Sequence, residues 1–207
     1  MAATVPEDGN QPEWATGALV LPDGTVFWGR GIGATGAAVG EVCFNTSLTG
    51  YQEIMTDPSY AGQIINFTFP HIGNVGANDE DVETTNPAAR GCVLRADITD
   101  PSNWRAVQHL DAWLKSMDLV GIAGVDTRRL TRLIRDSGAP NGAIVHQADS
   151  PINTATLQAA ASDWRGLEGT DLAKDVSCTQ TYNWTETDWA LGRGYGSLKK
   201  PKRHVVA

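Results

Sequence analysis

Two apolar runs, Gly17-Ala18-Leu19-Val20-Leu21 and Thr25-Val26-Phe27-Trp28-Gly29, stand on either side of Pro22-Asp23-Gly24. Proline presets the first torsion of a turn and glycine accepts a positive φ, so the chain must reverse here. β-Branched and aromatic residues on both sides suit extended backbone, and the whole reads as a β-hairpin. A hairpin buries too little surface to stand alone, so it commits the chain to a larger sheet. Strand candidates to extend it are Glu41-Val42-Cys43-Phe44-Asn45, Gln63 to Phe69, and Gly91-Cys92-Val93-Leu94-Arg95.

Helical patterns follow in the second half. Ser102, after Asp100-Pro101, is placed to cap a helix reaching Met117, with Trp104, Val107, Leu110, Leu114 and Met117 on one face. Val120-Gly121-Ile122-Ala123 reads as a short buried strand. Asp126 or Thr127 caps a second helix, with Leu130, Leu133 and Ile134 inward and Arg128, Arg129, Arg132 and Arg135 in water; Gly138 follows its last turn. Asn141-Gly142 is expected to turn into the strand Ala143-Ile144-Val145, and Ser150-Pro151 to open a third helix. Strands first and helices later indicate an α/β or α+β fold.

A formal net charge of -8 and a pI near 4.9 disfavour a binder of phosphate backbones, so no nucleic-acid partner is expected. No apolar run approaches the roughly 20 residues of a membrane span, and Met1 to Glu13 lacks the basic start and apolar stretch of a signal peptide. The expectation is a cytoplasmic protein with no membrane association. Cys43, Cys92 and Cys178 show no CxxC spacing, and the four histidines are scattered, so no metal site is expected. Cys92 is rejected as a nucleophile because Val93-Leu94 continues a strand rather than a strained elbow. Gly31-Ile32-Gly33-Ala34-Thr35-Gly36 fits G-x-G-x-x-G, but another strand follows it instead of the helix a pyrophosphate needs. A flexible loop is expected there, without a dinucleotide.

Phe44-Asn45-Thr46-Ser47-Leu48-Thr49-Gly50-Tyr51-Gln52-Glu53-Ile54-Met55-Thr56-Asp57-Pro58-Ser59-Tyr60 mixes hydroxyls and amides with aromatics, which suits a surface recognising a polar ligand or partner. A turn at Asp57-Pro58-Ser59-Tyr60 would direct the Ser59 hydroxyl outward. A second polar stretch, Phe69-Pro70-His71-Ile72-Gly73-Asn74-Val75-Gly76-Ala77-Asn78, has glycines and asparagines suited to a loop held against another surface.

Both stretches resemble the small subunit of carbamoyl-phosphate synthase. The resemblance runs from about residue 17 to the last residue through Leu21-Pro22-Asp23-Gly24, Val39-Gly40-Glu41-Val42, Asp126-Thr127-Arg128-Arg129-Leu130-Thr131-Arg132, Gly138-Ala139-Pro140-Asn141-Gly142, Gly169-Thr170-Asp171-Leu172-Ala173-Lys174 and Tyr182-Asn183-Trp184. It implies a three-layer β/β/α domain of the small-subunit amino-terminal type over 17–190, after a disordered leader over 1–16. A linker over 191–203 would then lead to 204–207, the first strand of a glutamine amidotransferase domain that is cut short here.

The resemblance further implies that cysteine, histidine and glutamate residues beyond this segment hydrolyse glutamine, so that no catalytic residue lies in it. Ser59 matches the serine through which the family's first domain reaches bound L-glutamine, because a hydroxyl both donates to and accepts from an amino acid. The implied partners are the large subunit and the small subunit's own glutaminase domain. Ammonia would pass to the large subunit for carbamoyl phosphate synthesis, feeding arginine and pyrimidine formation. No cofactor is expected on this chain, ATP with Mg2+ or Mn2+ belonging to the large subunit. Tyr51, Phe69 and Trp184 are candidates for the interface or, equally, for the domain's own core, and the Gly73-Asn74-Val75-Gly76 loop is expected near a domain or subunit boundary. The alternative function is a non-catalytic module that binds a metabolite.

Overall fold

The computed structural model describes residues 10–200, 203, 205 and 206. It divides into two compact units, Met1–Leu172 and Ala173–Ala207.

The first unit is a mixed α/β structure built on a closed barrel in the order β1-β2-β6-β5-β4-β3-β7. The hairpin at Pro22-Asp23-Gly24 joins β1 (Gly17–Val20) to β2 (Val26–Gly33), with Leu19 opposite Phe27. The Asp23 carboxylate accepts from the Thr25 amide at 2.8 Å, and Gly24 takes a φ of 84°. β3 (Gly36–Asn45), β4 (Gln63–Phe67), β5 (Gly91–Val93) and β6 (Val120–Ala123) pair in parallel. β7 (Asn141–His146) runs antiparallel between β1 and β3, and closes the barrel.

Alternation along each strand separates three apolar clusters. Leu19, Phe27, Val42, Ile64, Val93, Ile122 and Ile144 share one cluster with Leu130 and Ile134 of α3 (Thr127–Ser137). Their neighbours in sequence point the other way. Ala18, Val20, Trp28, Ala143 and Val145 pack with Leu157 and Ala161 of α4 (Thr154–Asp163). Ile65, Phe67, Cys92 and Ala123 pack with Tyr51 and Met55 of α1 (Tyr51–Thr56) and with Leu110, Trp113 and Leu114 of α2 (Leu110–Ser116). Parallel neighbours need crossover connections, so α1 and α2 are carried over the outer face of the barrel.

Asp126 caps α3 by accepting from the Arg129 amide at 3.0 Å, and Gly138 follows the helix with φ 88°. Asn66 on β4 donates to the Thr127 carbonyl at 3.1 Å and to Thr131 Oγ1 at 2.9 Å, tying α3 to the barrel.

Several local expectations fail where tertiary pairing overrides local pattern. The helix expected from Ser102 begins only at Leu110, capped by His109 Nδ1. Residues 102–108 instead form a turn, closed by the Ala106 amide on the Asn103 carbonyl, whose two ends bond to 74–77: the Ser102 amide to the Asn74 carbonyl at 3.0 Å, and Gln108 bridging Ala77. Trp104 and Val107, expected on the buried face, are 82% and 68% exposed. The third helix begins at Thr154 rather than at Ser150-Pro151, because Asn153 accepts from the Thr156 amide and provides the better cap. Asn141-Gly142 is part of β7 rather than a turn, and the Asn141 side chain donates to the Trp164 carbonyl at 2.8 Å beyond the end of α4.

The Gly31 to Gly36 segment is no loop. Gly31 and Gly33 belong to β2 and Gly36 to β3, with Ala34-Thr35 between them. Gly33 has φ 68°, and a Cβ there would lie 2.2 Å from the Leu119 carbonyl, so the site needs glycine for packing. Residues 1–9 of the expected leader lie outside the described residues. Residues 10–16 are folded: Ala15 is buried, Thr16 bonds to Gly29 and Gln147, and Arg30 stands over the Trp14 ring.

In the second unit, bridges join Glu186 to Ser197 and Ala190 to Gly194. Part of the expected 191–203 linker therefore folds back on the residues before it. Of the strand expected over 204–207, His204 and Ala207 lie outside the described residues; Val205 and Val206 are exposed and form no strand.

Candidate functional site

Ser59 sits in the β3–β4 crossover, inside a single 3-10 turn, Pro58–Tyr60. Proline at the first position fixes φ, and the Asp57 carboxylate accepts from the Ser59 amide at 2.8 Å. The turn closes with the Tyr60 amide on the Asp57 carbonyl and the Ala61 amide on the Pro58 carbonyl. Ser59 is exposed, and its hydroxyl makes no hydrogen bond among the described residues. The turn therefore presents an oxygen that can donate and accept.

The residues around it are fixed from several sides. Tyr60 OH accepts from Asn45 Nδ2 at 2.9 Å, so the turn is tied to the end of β3. Phe44 and Leu48 of the same stretch are exposed. α1 immediately precedes the turn and is locked into the body of the domain by polar side chains that are almost fully buried. Gln52 forms a two-point contact with Asn78: its Oε1 accepts from the Asn78 amide at 2.9 Å and its Nε2 donates to the Asn78 carbonyl at 3.0 Å. Thr56 Oγ1 donates to the Gln52 carbonyl at 2.8 Å and accepts from the Glu83 amide at 2.9 Å. Tyr51 OH donates to the Gly76 carbonyl.

The Asn78 side chain extends this network, accepting from the amides of Glu80 and Asp81 and donating to Asp81. Arg105 bridges Asp81 at 2.7 Å and Glu80 at 3.2 Å. Burial pushes the Glu53 carboxyl up, its own backbone amide opposes, and the charges of Asp81 and Glu83 push it further up. Sequence reasoning singled out Ser59 but missed Gln52 and Thr56; their only local signal was a glutamine and a threonine four residues apart among Tyr51 and Met55.

The second polar stretch packs within the same unit. Gly73, with φ 93°, would place a Cβ 2.7 Å from Ile98 and 3.0 Å from Leu110, and the Gly76 amide closes a turn onto the Gly73 carbonyl at 2.9 Å. Of the three aromatic interface candidates, Tyr51 is buried and Phe69 packs against the same cluster, as the core alternative predicts; Trp184 is exposed. Cys92 is buried in β5 and burial pushes its thiol up to about 12, so it stays a thiol at neutral pH. No group of three or more metal-ligating side chains occurs among the described residues.

A family model described as "Carbamoyl-phosphate synthase small chain, CPSase domain" matches residues 19–144. The match begins in β1 and ends in β7, so it spans the barrel and the Ser59 crossover, and it covers more than half of the chain. The chain belongs to the carbamoyl-phosphate synthase small-chain family. Among the small chains it resembles, that of Ruegeria pomeroyi is 58% identical over 192 residues, covering 93% of this chain and 50% of the relative. That of Mesorhizobium japonicum is 56% identical over 204 residues, covering 95% and 51%, and that of Agrobacterium fabrum 54% identical over 212, covering 100% and 52%. This small-chain polypeptide thus spans about half the length of the curated relatives it matches. No helix among its described residues is long and apolar enough to cross a membrane.

Proposed function

We propose that the chain is the non-catalytic, amino-terminal half of the glutamine-hydrolysing small subunit of carbamoyl-phosphate synthase. In this reading it docks the large subunit and completes the glutamine site, so that ammonia reaches carbamoyl phosphate synthesis for arginine and pyrimidine formation. Hydrolysis is carried by cysteine, histidine and glutamate of the glutaminase half, and ATP with its divalent metal is held by the large subunit. The β/β/α layering belongs to the same proposal, with opposite walls of the barrel as two layers and α1 and α2 as the third.

The observation that carries the reading is the Ser59 hydroxyl, exposed and without a hydrogen-bond partner among the described residues, on a turn fixed by Asp57 and Tyr60. A hydroxyl so held orients the amino-acid end of glutamine; the neighbouring Asp57 carboxylate accepts from the Ser59 amide, and no group among the described residues hydrogen-bonds the hydroxyl to activate it as a nucleophile. Ser59→Ala in the complete small subunit, assembled with the large subunit, is the test. A hydrogen bond to a charged group is worth about 1.5–3 kcal/mol, so glutamine-dependent kcat/KM should fall roughly tenfold to a hundredfold. Synthesis from added ammonia should be unchanged. Equal glutamine kinetics in variant and parent would remove Ser59 from the site.

A further inference from the structure

α3 buries Thr127, Leu130 and Ile134 and leaves Arg128, Arg129, Arg132 and Arg135 exposed. Arg128, Arg129 and Arg132 line an open cleft of about 300 Å³, bounded by Asp126 at one end of the helix and Asp136 at the other. Asp126 and Asp136 are already engaged, Asp126 with Arg95 at 3.6 Å and with the helix cap, Asp136 with Arg135 at 2.8 Å. Arg128 and Arg132 form no ion pair with a carboxylate among the described residues. They stand four apart on one face, where like charges repel within the helix. Arg129 is held over the Phe27 ring at 4.9 Å, which fixes its guanidinium at the edge of the cleft. In a chain of net charge -8, this is a concentrated, partly pre-positioned patch of the opposite sign.

We propose that this arginine face of α3 is a docking surface for a carboxylate cluster on the partner subunit, the large subunit in the reading above, on which this inference rests. Planar guanidinium groups pair bidentately with carboxylates, and arginine is enriched where protein surfaces meet. The aspartates at both ends of the patch favour a short, localised anionic partner over a continuous polyanion, whose flanking charges they would repel. The remainder of the helix is committed to the barrel, so the patch is carried on a rigid element and its geometry is set before the partner arrives.

The experiment measures association of the full chain with the purified large subunit over a salt series, for the parent, for Arg128→Glu with Arg132→Glu, and for Arg90→Glu with Arg165→Glu. The last pair changes net charge equally but lies elsewhere. The α3 double variant is expected to bind at least tenfold more weakly at low salt and with a flatter salt dependence, while the control pair binds as the parent. Because both α3 positions are exposed, circular dichroism and Tm should match the parent. Parent-like binding by the α3 variant overturns this inference and leaves the docking reading intact. No binding by the parent at any salt overturns the docking reading and the inference with it. Comparable binding of the parent to a 30-base-pair DNA duplex would make the patch a general polyanion site and also overturn it.

Discussion

Gln52 ties α1, the helix that leads into the Ser59 turn, to the body of the domain. It is 3% exposed and satisfies both the amide and the carbonyl of Asn78, at 2.9 and 3.0 Å. Gln52→Leu keeps the volume near that of the parent but leaves the amide and the carbonyl of the half-buried Asn78 unmet. A buried orphaned group costs about 1–3 kcal/mol, and because Asn78 is half-buried each of its two groups falls at the low end, so the expected loss is about 2 kcal/mol against a stability of about 5–15 kcal/mol. The unfolding equilibrium should shift by a factor of about 30, since 1.36 kcal/mol is tenfold. Urea unfolding followed by far-ultraviolet circular dichroism reads the loss as a lower midpoint, and hydrogen exchange should show the Asn78 amide losing protection.

Gln52→Glu separates the two contacts. A carboxylate still accepts from the Asn78 amide but faces the Asn78 carbonyl without a proton to give, and it is buried beside Glu53. Both effects raise its folded pKa above the unfolded value of about 4.3. The sign follows. Below that unfolded value the acid is protonated in both states, donates to the carbonyl, and the variant should be close to the parent in stability. As pH rises toward the folded pKa the variant should lose up to about 1.4 kcal/mol per pH unit relative to the parent. Gln52→Leu should be equally deficient across the range. A loss below about 0.5 kcal/mol in Gln52→Leu, the size of an ordinary surface substitution, would refute the claim that this contact anchors α1.

Leu130 is fully buried where α3 meets the barrel cluster, and Leu130→Ala should lower stability by about 2–5 kcal/mol in urea unfolding; a loss under about 1 kcal/mol would show that the helix is not packed into the barrel cluster. Burial alone would raise the Asp111 carboxyl, but Lys115 at 2.6 Å and the Gly33 amide at 2.7 Å outweigh it and hold the group below its ordinary value. Its stabilisation is therefore present above the unfolded pKa and lost as pH falls through the folded one. Asp111→Asn should flatten the acid side of the stability profile, and an unchanged profile would contradict the assignment. Glu53 has the opposite sign: its raised pKa makes the favourable contribution present at low pH and lost as pH rises, so Glu53→Gln should gain stability relative to the parent as pH rises from the unfolded value through the folded one.

The hairpin at Pro22-Asp23-Gly24, the capped α3 and the short apolar strands at 63, 91 and 120 were all legible before any coordinates, because each is set by residues adjacent in sequence. The turn that presents Ser59 was legible for the same reason: proline, an aspartate two residues before the serine and their local bonds define it. Long-range pairing decided the rest. Trp104 and Val107 carry helical spacing, yet Trp104 falls in a turn and the Val107 amide bonds to the Ala77 carbonyl, and a periodic pattern cannot reveal a competing partner thirty residues away. The Gly31 to Gly36 segment reads as a flexible glycine-rich loop until β6 and Leu119 are seen packed on it. Gln52 and Thr56 look like surface residues because nothing local foretells that Asn78 and Glu83 will supply their hydrogen bonds. Sequence alone determined the first hairpin, the capped α3, the short apolar strands and the family to which they belong. Only the tertiary structure decided that the strands close into a barrel and that α1 is pinned beside the serine, because closure and burial join residues whose separation along the chain hides them from each other.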